Sequence, residues 1–380
     1  MDRLRIGIIG VGAIATDEVH GHIPNYKALD DVEVVAISDI NGRRAQYVAD
    51  RFDIPQVFTH FREMLSHADV DAVSIATPNF LHSPIAVGCL EQGVHVLVEK
   101  PMALTTSEAR RMTAAAEASD KVLFVGMNNR FRDDTRALKM MVQQGTLGDV
   151  YYAKSGWLRP SSLGKSSSWF TSKAQAGEGP LWDIGLVMLD LSLWMLGFPT
   201  VVSVSGAIHV PQQTSKQATH LVNAFDESPY PVEDSATALI RFEGGRSLLL
   251  EVSTTSMLSD VDDIYLRLDG TCGAAELHNP EMRKSNEVLR VHGELFGTRM
   301  EFAPVLPTSG VPSHQRELRH FVDLCLGREQ PVVTPEQGLQ GVQVIEAIYR
   351  SAELGHAVSL PLDDATAGSE ETMQSAEATA

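Results

Sequence analysis

The feature that most constrains the fold is a glycine-rich turn close to the start of the chain. A short apolar run, Arg5 to Ile9, leads into the segment GVGAIA at 10–15, and a stretch with helical spacing follows. In this context the spacing G-x-G-x-x-A predicts a turn that holds the pyrophosphate of a dinucleotide. The first glycine permits the sharp turn, the second lets the backbone approach the phosphates, and the alanine keeps the helix close to the sheet. The cofactor-binding residues predicted from this turn are Gly10, Gly12, Ala13, Ile14 and Ala15.

A carboxylate follows the second predicted strand, at the position where a ribose is usually recognised. The strand is Val32 to Ser38, and Asp39 comes 24 positions after Ala15, close to the offset of about 20 residues expected for this role. A carboxylate there accepts hydrogen bonds from the ribose diol and repels a 2′-phosphate, so we predict NAD rather than NADP as the cofactor. Arg43 and Arg44, which would soften that preference, are interpreted as a solvated helix start.

Strands and helices alternate through the first third of the chain. Short runs rich in β-branched residues are separated by helical spacing, as at Gly42 to Phe52 and Ser83 to Gly93. Strands of this kind are typical of a parallel sheet covered on both faces. We therefore predict an α/β fold that begins with a Rossmann dinucleotide-binding domain over 1–126. The predicted strands are Arg5–Ile9, Val32–Ser38, Val70–Ala76, Val94–Val98 and Val122–Val125.

After about Gly126 the pattern changes to strands joined by turns, with few helices. Gly244 and Gly245 supply the positive φ of a tight hairpin, and helices are predicted at Leu181–Leu196 and near 335–354. We predict a C-terminal α+β domain over 127–362 with a large open, mainly antiparallel sheet, and a disordered acidic tail over 363–380. The predicted strands are Val150–Gly156, Val201–Val210, Ala236–Phe242, Ser247–Ser253 and Tyr265–Asp269.

The composition argues against several classes of partner and indicates the cellular compartment. The chain has 380 residues and a formal net charge of −18, which argues against nucleic acid because a phosphate backbone needs a basic face. No apolar run reaches the length of a membrane span, and the N-terminus, taken as the start of the mature protein, shows no signal-peptide core. Three widely spaced cysteines fit a reducing compartment, and the scattered histidines lack metal-ligand spacing. We therefore predict a cytoplasmic protein with no metal, membrane or nucleic-acid partner.

Further motifs occur in the order that characterises a known family. They are TPN with His82 (77–82), EKP (99–101), GMNNRF (126–131), DIG (183–185), GTCG (270–273) and EAIYRS (346–351). Together with the glycine-rich turn and Asp39, they resemble the Gfo/Idh/MocA family of NAD(P)-dependent oxidoreductases from about Arg5 to Leu362. The resemblance implies that a hydride is transferred between NAD(H) and a secondary alcohol or ketone. It also implies that the substrate is a sugar, a sugar derivative or a cyclitol.

The resemblance assigns the chemistry to Lys100, with Asp183 to orient the reacting hydroxyl. Hydride transfer from a carbinol needs the hydroxyl proton removed or the developing alkoxide stabilised, and a lysine ammonium at a strand end can donate to that oxygen. His82 either caps the helix near Ser83 or contacts the cofactor, and the structural role is preferred. Glu99 is left open between cofactor and protein groups. The further cofactor residues implied are Asp39, Thr77, Pro78, Asn79, His82, Glu99 and Lys100.

Substrate residues are predicted in the segment 151–179 and at the junction of the two domains. Trp157, Arg159 and Trp169 occur among serines, and aromatic faces pack on sugar C–H surfaces while arginine holds hydroxyl, carboxylate or phosphate groups. A covering segment with buried tryptophans is the alternative. Arg130 is expected either to contact substrate or cofactor or to brace the junction, and Lys100 and Asp183 complete the substrate set. The family also implies a homodimer or homotetramer that buries the open face of the C-terminal sheet.

The sequence departs from the family pattern at one position that matters for the chemistry. In the pattern D-x-G-x-H-x-x-D a histidine, commonly the proton acceptor, follows the first aspartate by one helical turn, but here the position is Val187. Lys100 and Asp183 suffice in one interpretation, with water or a tyrosine as an alternative acceptor. In the others the protein is a non-catalytic NAD-binding regulator or an NAD-dependent glycosidase of the same family. We prefer the first, because Lys100 and Asp183 are both retained.

Overall fold

The computed structural model describes residues 3–160, 179–210, 233–257, 260–279, 288–306 and 310–362. These residues form two compact units, 3–132 with 310–342 and 133–306 with 343–362. Within the described ranges no helix is both long enough and apolar enough to cross a membrane. Trp169 and the acidic tail over 363–380 lie outside the described residues.

Six parallel strands form the sheet of the first unit: β1 (Leu4–Ile9), β2 (Val32–Ser38), β3 (Gln56–Phe58), β4 (Ala72–Ile75), β5 (His95–Val98) and β6 (Leu123–Val125). Their order in the sheet is β3-β2-β1-β4-β5-β6, which changes direction between β1 and β4 as in a Rossmann fold. Ile8 and Ile9 of β1, whose side chains point to opposite faces of the sheet, are both buried, as expected where helices cover both faces. The predicted parallel sheet is confirmed.

The local sequences explain where the helices of this unit begin. Over residues 3–132 they are α1 (Ala13–Thr16), α2 (His22–Lys27), α3 (Gly42–Phe52), α4 (Phe61–His67), α5 (His82–Glu91) and α6 (Thr106–Ser119). The Asn41 side chain caps α3 by accepting from the backbone N–H of Arg44, and Thr105 with Glu108 forms a reciprocal capping box at the start of α6. The helix that follows the glycine-rich turn, α1, spans only four residues and is shorter than the sequence suggests.

The second unit contains a nine-stranded sheet made of β7 (Val150–Pro160), β8 (Val201–His209), β9 (Ser235–Phe242), β10 (Ser247–Ser256), β11 (Asp263–Gly270), β12 (Gly273–His278), β13 (Leu289–Leu295), β14 (Thr298–Phe302) and β15 (Val358–Ser359). The order is β14-β13-β12-β11-β7-β10-β9-β8-β15, with one parallel pair, β7 and β10, in this described sheet. Gly244 and Gly245 have φ values of 74° and 79° in the β9–β10 hairpin. The predicted mainly antiparallel α+β fold is confirmed.

Among the described residues of the second unit, two α-helices lie wholly within it, α7 (Asp133–Gln143) and α8 (Leu186–Leu196). A π-helical turn over Leu181–Gly185 precedes α8, so the helix predicted at 181–196 is a π turn followed by an α-helix. Gly185 permits this close packing, since a Cβ there would lie 2.9 Å from Leu181 Cδ1. The apolar residues of α8 surround it on all sides because it is buried in the unit.

The chain returns to the first unit after residue 310. In α9 (Ser313–Cys325), Arg319 Nη1 donates to Asp31 Oδ1 at 2.6 Å, and the Phe321 ring lies 6.1 Å from that of Phe124. The last helix, α10 (Pro335–Leu354), begins in the first unit and continues into the second, because the division falls after Val342. The sequence predicts a single domain over 127–362, because no local pattern marks a segment that folds back onto an earlier sheet.

Candidate active site

The glycine-rich turn ties together the ends of three strands. Gly10 follows β1 with a φ of 87°, and its N–H donates to the carbonyl of Ser38 at the end of β2. A Cβ on Gly10 would lie 2.7 Å from the carbonyl oxygen of Ala76, directly after β4. Only glycine fits this position. The turn therefore closes where the strand order changes direction, which is where sheets of this kind bind their ligands.

Gly12, in contrast, is not required by the fold. A Cβ there would meet a single atom within 4 Å, the Ala76 carbonyl oxygen at 4.0 Å, and Gly12 has a φ of −72°. In the neighbouring loop, the Thr77 hydroxyl oxygen is buried and has no hydrogen-bond partner in the described part of the chain. An open backbone and an unused hydroxyl fit a ligand that approaches the main chain closely, as the phosphates of a dinucleotide do. Ala13 and Ile14 open α1 beside Gly12, and Ala15 is fully buried.

Asp39 lies directly after β2, and two backbone N–H groups hold its carboxylate. Val11 donates to Oδ2 at 3.0 Å, and Asn41 donates to Oδ1 at 2.9 Å. The first of these bonds fixes the carboxylate against the glycine-rich turn itself. Arg43 and Arg44 are exposed at the start of α3, as the sequence analysis expects of a solvated helix start.

His82 joins the two loops that follow β4 and β5. Its buried ring has Nδ1 2.7 Å from the carbonyl oxygen of Pro101 and Nε2 2.9 Å from that of Thr77. Burial lowers the pKa of His82, although hydrogen bonds to the two carbonyls oppose the shift. The side chain does not cap α5, so the capping alternative is wrong and the ring instead braces both loops. Pro78 precedes the turn at Asn79, which is buried at the same edge of the sheet.

Glu99 is held by protein groups rather than left open to a ligand. His22 donates from Nε2 to Glu99 Oε1 at 2.9 Å, and His22 Nδ1 lies 2.7 Å from the Ser74 hydroxyl. The second carboxylate oxygen accepts the backbone N–H of Lys100 at 3.2 Å. Burial alone would raise the pKa of Glu99, but the His22 hydrogen bond and nearby positive charges keep it below its usual value.

Lys100 therefore follows β5 on a backbone that is fixed from both sides. Its N–H is bound by Glu99, and the carbonyl of Pro101, the next residue, contacts His82. The Lys100–Pro101 peptide bond is cis, and the Lys100 side chain is partly exposed while Pro101 is buried. The arrangement places Lys100 at the carboxyl edge of the parallel sheet, where the predicted cofactor residues of this unit also lie.

In the second unit, Asp183 lies in the π turn before α8. Between residues 180 and 193 only Asp183 and Val187 are partly exposed, and every other side chain of that stretch is buried. The two residues therefore share the open side of the helix, as the four-residue spacing predicts. This side offers a carboxylate and an isopropyl group, and no imidazole.

Trp157 and Arg159 lie on β7 and share a partner that the sequence analysis missed. Trp157 Nε1 donates to Asp262 Oδ2 at 2.8 Å, and Arg159 Nε lies 3.5 Å from the same oxygen. The guanidinium stacks on the Trp157 ring at 5.2 Å and lies 3.8 Å from Asp183 Oδ2. Trp169, the third aromatic candidate, lies outside the described residues.

Arg130 is not available to a substrate. It is the largest fully buried side chain of the chain's described part, and its Nη1 donates to the Val332 carbonyl at 2.7 Å and to Gln337 Oε1 at 2.6 Å. All three residues belong to the first unit. The predicted contact of Arg130 with substrate is therefore wrong, and its role is to anchor the returning segment.

Two other supporting residues were also missed. His22 sits near the start of a short helix and reaches Glu99 across 77 positions of sequence. Glu233 accepts backbone N–H groups of Gly179 and Leu181 and the hydroxyl of Tyr349, so it holds the start of the π turn. The sequence around each residue is polar and mixed, so no local pattern identifies either role. Within the described ranges, no group of three potential ligands is placed to hold a metal ion.

Two family models together match most of the chain. The oxidoreductase family's NAD-binding Rossmann fold matches residues 4–127, and its C-terminal alpha/beta domain matches residues 139–360. The chain belongs to the Gfo/Idh/MocA oxidoreductase family. The resemblance inferred from the motifs is thus confirmed, and the protein is an oxidoreductase that uses a nicotinamide dinucleotide.

Named members of the family resemble the chain over nearly its whole length. D-glucoside 3-dehydrogenase of Escherichia coli (strain K12) is 33% identical and covers 94% of this chain and 97% of its own. Myo-inositol 2-dehydrogenase of Thermotoga maritima is 25% identical, with coverage of 94% and 98%. The crystal structure of GenD2 from gentamicin A biosynthesis, in complex with NAD, superposes with a TM-score of 0.76 at 26% identity and covers 95% and 97%.

The two glycines of the turn make a matched pair of variants. We expect Gly10→Ala to lower the free energy of unfolding by about 2–4 kcal/mol, because its Cβ would meet the Ala76 carbonyl at a positive φ. Gly12→Ala should fold normally but bind NADH at least about tenfold more weakly, because the Cβ occupies space needed by the phosphates. Thermal unfolding and NADH fluorescence titration measure the two effects. Unchanged NADH affinity in Gly12→Ala would exclude the phosphates from this turn.

Replacement of Arg130 separates bracing from substrate binding. Arg130→Met should cost about 3 kcal/mol of stability, because it leaves the Val332 carbonyl and Gln337 without their donor. The KM for the sugar should not change. Denaturant unfolding and steady-state kinetics test both points, with the exposed Arg44→Met as the control. A raised KM at unchanged stability would restore Arg130 to the substrate site.

Proposed function

We propose that this protein is an NAD-dependent dehydrogenase acting on a ring secondary alcohol, or the matching ketone, of a pyranoside or cyclitol. The observation that carries the proposal is the 33% identity to D-glucoside 3-dehydrogenase over 94% of the chain. Myo-inositol 2-dehydrogenase supports the same reaction class. The carbon named in each case bears a secondary hydroxyl on a six-membered ring, so the shared chemistry is oxidation of a ring carbinol.

NAD is the proposed cofactor in preference to NADP. Asp39 supports this choice, because its carboxylate is already fixed by Val11 and Asn41 and cannot swing away from a 2′-phosphate without breaking those bonds. The complex of GenD2 with NAD agrees with it. Gly12, Thr77 and Asn79 are proposed to line the rest of the dinucleotide site, together with Gly10, Ala13, Ile14, Ala15 and Pro78.

In the proposed mechanism, Lys100 acts on the oxygen of the reacting carbinol. Bound NAD supplies the hydride acceptor. The Lys100 ammonium donates a hydrogen bond to the hydroxyl oxygen and stabilises the negative charge that develops there as the proton leaves. Glu99, itself held by His22, fixes the Lys100 backbone and thereby the origin of that side chain. A fixed lysine needs little reorganisation when charge develops.

Asp183 is proposed to orient the same hydroxyl and to take part in removing its proton. Val187 cannot accept a proton, although it shares the open side of the helix with Asp183. The proton therefore leaves through the Asp183 carboxylate to water, while the Lys100 ammonium stays protonated and stabilises the alkoxide. The retention of both residues favours a working dehydrogenase over a regulator, and a regulator would not need either of them.

Assembly and compartment are the finer parts of the proposal. We propose a homodimer or homotetramer formed through the open face of the nine-stranded sheet, at whose edge β14 exposes Met300 and Phe302. A cytoplasmic location is supported by the three free cysteines, Cys89, Cys272 and Cys325. Light scattering coupled to size exclusion measures the number of subunits.

The reaction is tested by following absorbance at 340 nm with NAD and a panel of methyl glucosides, cyclitols and sugar acids. NADH should form with ring secondary alcohols. A purified protein that binds NADH but produces no NADH with any member of the panel would contradict the proposal. p-Nitrophenyl glycosides, included in the panel, would reveal glycoside cleavage instead.

Replacement of Asp39 tests the cofactor preference. Asp39→Ala should lower kcat/KM for NAD about tenfold and bring the NAD and NADP values closer together, because the ribose diol loses its acceptor and a 2′-phosphate loses its repulsion. Steady-state kinetics with both cofactors measure the change. Arg43→Ala is the control and should leave the NAD value unaltered. A wild-type protein that prefers NADP would refute the assignment.

Replacement of Lys100 tests the chemical step. Lys100→Ala should reduce kcat at least about 100-fold, which is the range of general acid–base catalysis, while the Kd for NADH changes less than about threefold. Lys121→Ala, on the same unit, is the matched control and should retain turnover. Turnover that survives in Lys100→Ala would show that another group stabilises the alkoxide.

A further inference from the structure

Asp262 occupies a position in the second unit that no sequence motif marks. It lies directly before β11, and antiparallel pairing of Asp263 with Leu158 brings it beside β7. The neighbours of Leu158 on β7 are Trp157 and Arg159, which both contact the Asp262 carboxylate. Sheet register, rather than sequence proximity, thus assembles this group across 105 positions of the chain.

The two carboxylate oxygens of Asp262 are in different situations. Oδ2 accepts from Trp157 Nε1 and faces Arg159, so the protein uses this oxygen fully. Oδ1 is buried and has no hydrogen-bond partner in the described part of the chain. Asn279 donates to the backbone carbonyl of Asp262 at 2.7 Å, which fixes the residue from behind. The carboxylate is therefore held rigidly with one acceptor unused.

A second unused acceptor belongs to the same segment. The Oδ1 atom of Asn279 is also buried without a hydrogen-bond partner within the described ranges, and its amide nitrogen is committed to Asp262. The amide cannot be turned to exchange the two atoms without losing that bond. Buried acceptors without donors are costly and rare in folded proteins, and they are retained where a ligand supplies the donor.

We propose that Asp262 is a substrate-binding residue whose Oδ1 accepts a hydrogen bond from a hydroxyl of a neutral sugar ring. The inference rests on the proposed function and deepens it, because it defines the charge of the substrate. Trp157 and Arg159 act as positioning residues that hold Oδ2 and present Oδ1. The hydroxyl that Asp262 binds is not the one that is oxidised.

The charges beside Asp262 select against an anionic ligand. A phosphate or carboxylate on the substrate carries no proton to donate at neutral pH and would be repelled by the Asp262 charge. Arg159 lies between the Asp262 and Asp183 carboxylates, so the three side chains together carry a charge of −1. A neutral hydroxyl donates to Oδ1 without this penalty. Neutral glycosides and cyclitols are therefore favoured over sugar acids and sugar phosphates.

The test is a double-mutant cycle between the protein and the substrate. Wild type, Asp262→Ala and Asp262→Asn are compared on methyl glucoside and on its 2-, 4- and 6-deoxy analogues. In the wild type, one deoxy analogue should lose about 10–100-fold in kcat/KM relative to the parent sugar. In Asp262→Ala that analogue and the parent should become equal within about threefold, because the bond is already absent. In Asp262→Asn the loss in kcat/KM for that analogue should lie between the losses in the wild type and in Asp262→Ala.

Controls distinguish recognition from structural support. Asp260→Asn, an exposed carboxylate two positions away, should leave every ratio unchanged. If Asp262→Ala lowers kcat/KM by the same factor for all substrates and keeps the loss seen with the deoxy analogue, the residue only supports the fold and the inference is overturned. Better activity of the wild type on glucuronate than on glucoside would also overturn it.

Binding measurements keep the inference testable if turnover is absent. Isothermal titration of the same sugars into the NADH-loaded protein gives the deoxy ratios in Kd rather than in kcat/KM. A silent enzyme that shows the Asp262-dependent ratio would refute the proposed dehydrogenation and retain the binding site. Turnover that lacks the Asp262-dependent ratio would support the proposed dehydrogenation and overturn the binding role of Asp262. Thermal unfolding of Asp262→Asn verifies that the variant is folded.

Discussion

The close approach of Gly10 to the carbonyl of Ala76 is the constraint on which the rest of the first unit depends. It brings the turn after β1 against the end of β4, where the strand order changes direction, and no side chain can enter between them. Because the two strands are locked at this point, the loops after β2 and β4 must meet the same turn. Asp39 does so through Val11, and Thr77 lies against Gly10 itself.

Two buried histidines extend this constraint to Lys100. His82 spans the carbonyls of Thr77 and Pro101, and His22 links Ser74 of β4 to Glu99 at the end of β5. Both carbonyl oxygens can only accept hydrogen bonds, and a neutral imidazole has a single N–H. A neutral His82 ring can therefore donate to only one of the two carbonyls. Burial lowers the pKa of His82, and the hydrogen bonds to the two carbonyls oppose that shift. The Lys100 backbone is therefore fixed by groups of β4 and the loop after it, as well as by its own strand, β5.

The sequence predicts what is decided locally and misses what long-range contacts decide. The bounds of β2, α3 and α10 follow from apolar spacing and caps within a few residues, and the predicted 32–38, 42–52 and 335–354 agree with the structure. The return of 310–342 to the first unit depends on Arg319 meeting Asp31 and on Arg130 reaching Val332, which no periodicity encodes. Asp262 was missed for the same reason, because sheet register brings it to Trp157.

Val187 shows how a missing group constrains the chemistry that remains. It is partly exposed on the same side of the helix as Asp183, and the π turn and α8 form without the histidine of the family pattern. Valine contributes no proton acceptor and no hydrogen bond, and it makes its side of the helix more apolar. In a more apolar setting the charge on an alkoxide is stabilised less by solvent and more by fixed groups. In the proposed mechanism, the loss of the imidazole therefore increases the share of stabilisation that must come from Lys100, whose backbone is held by Glu99.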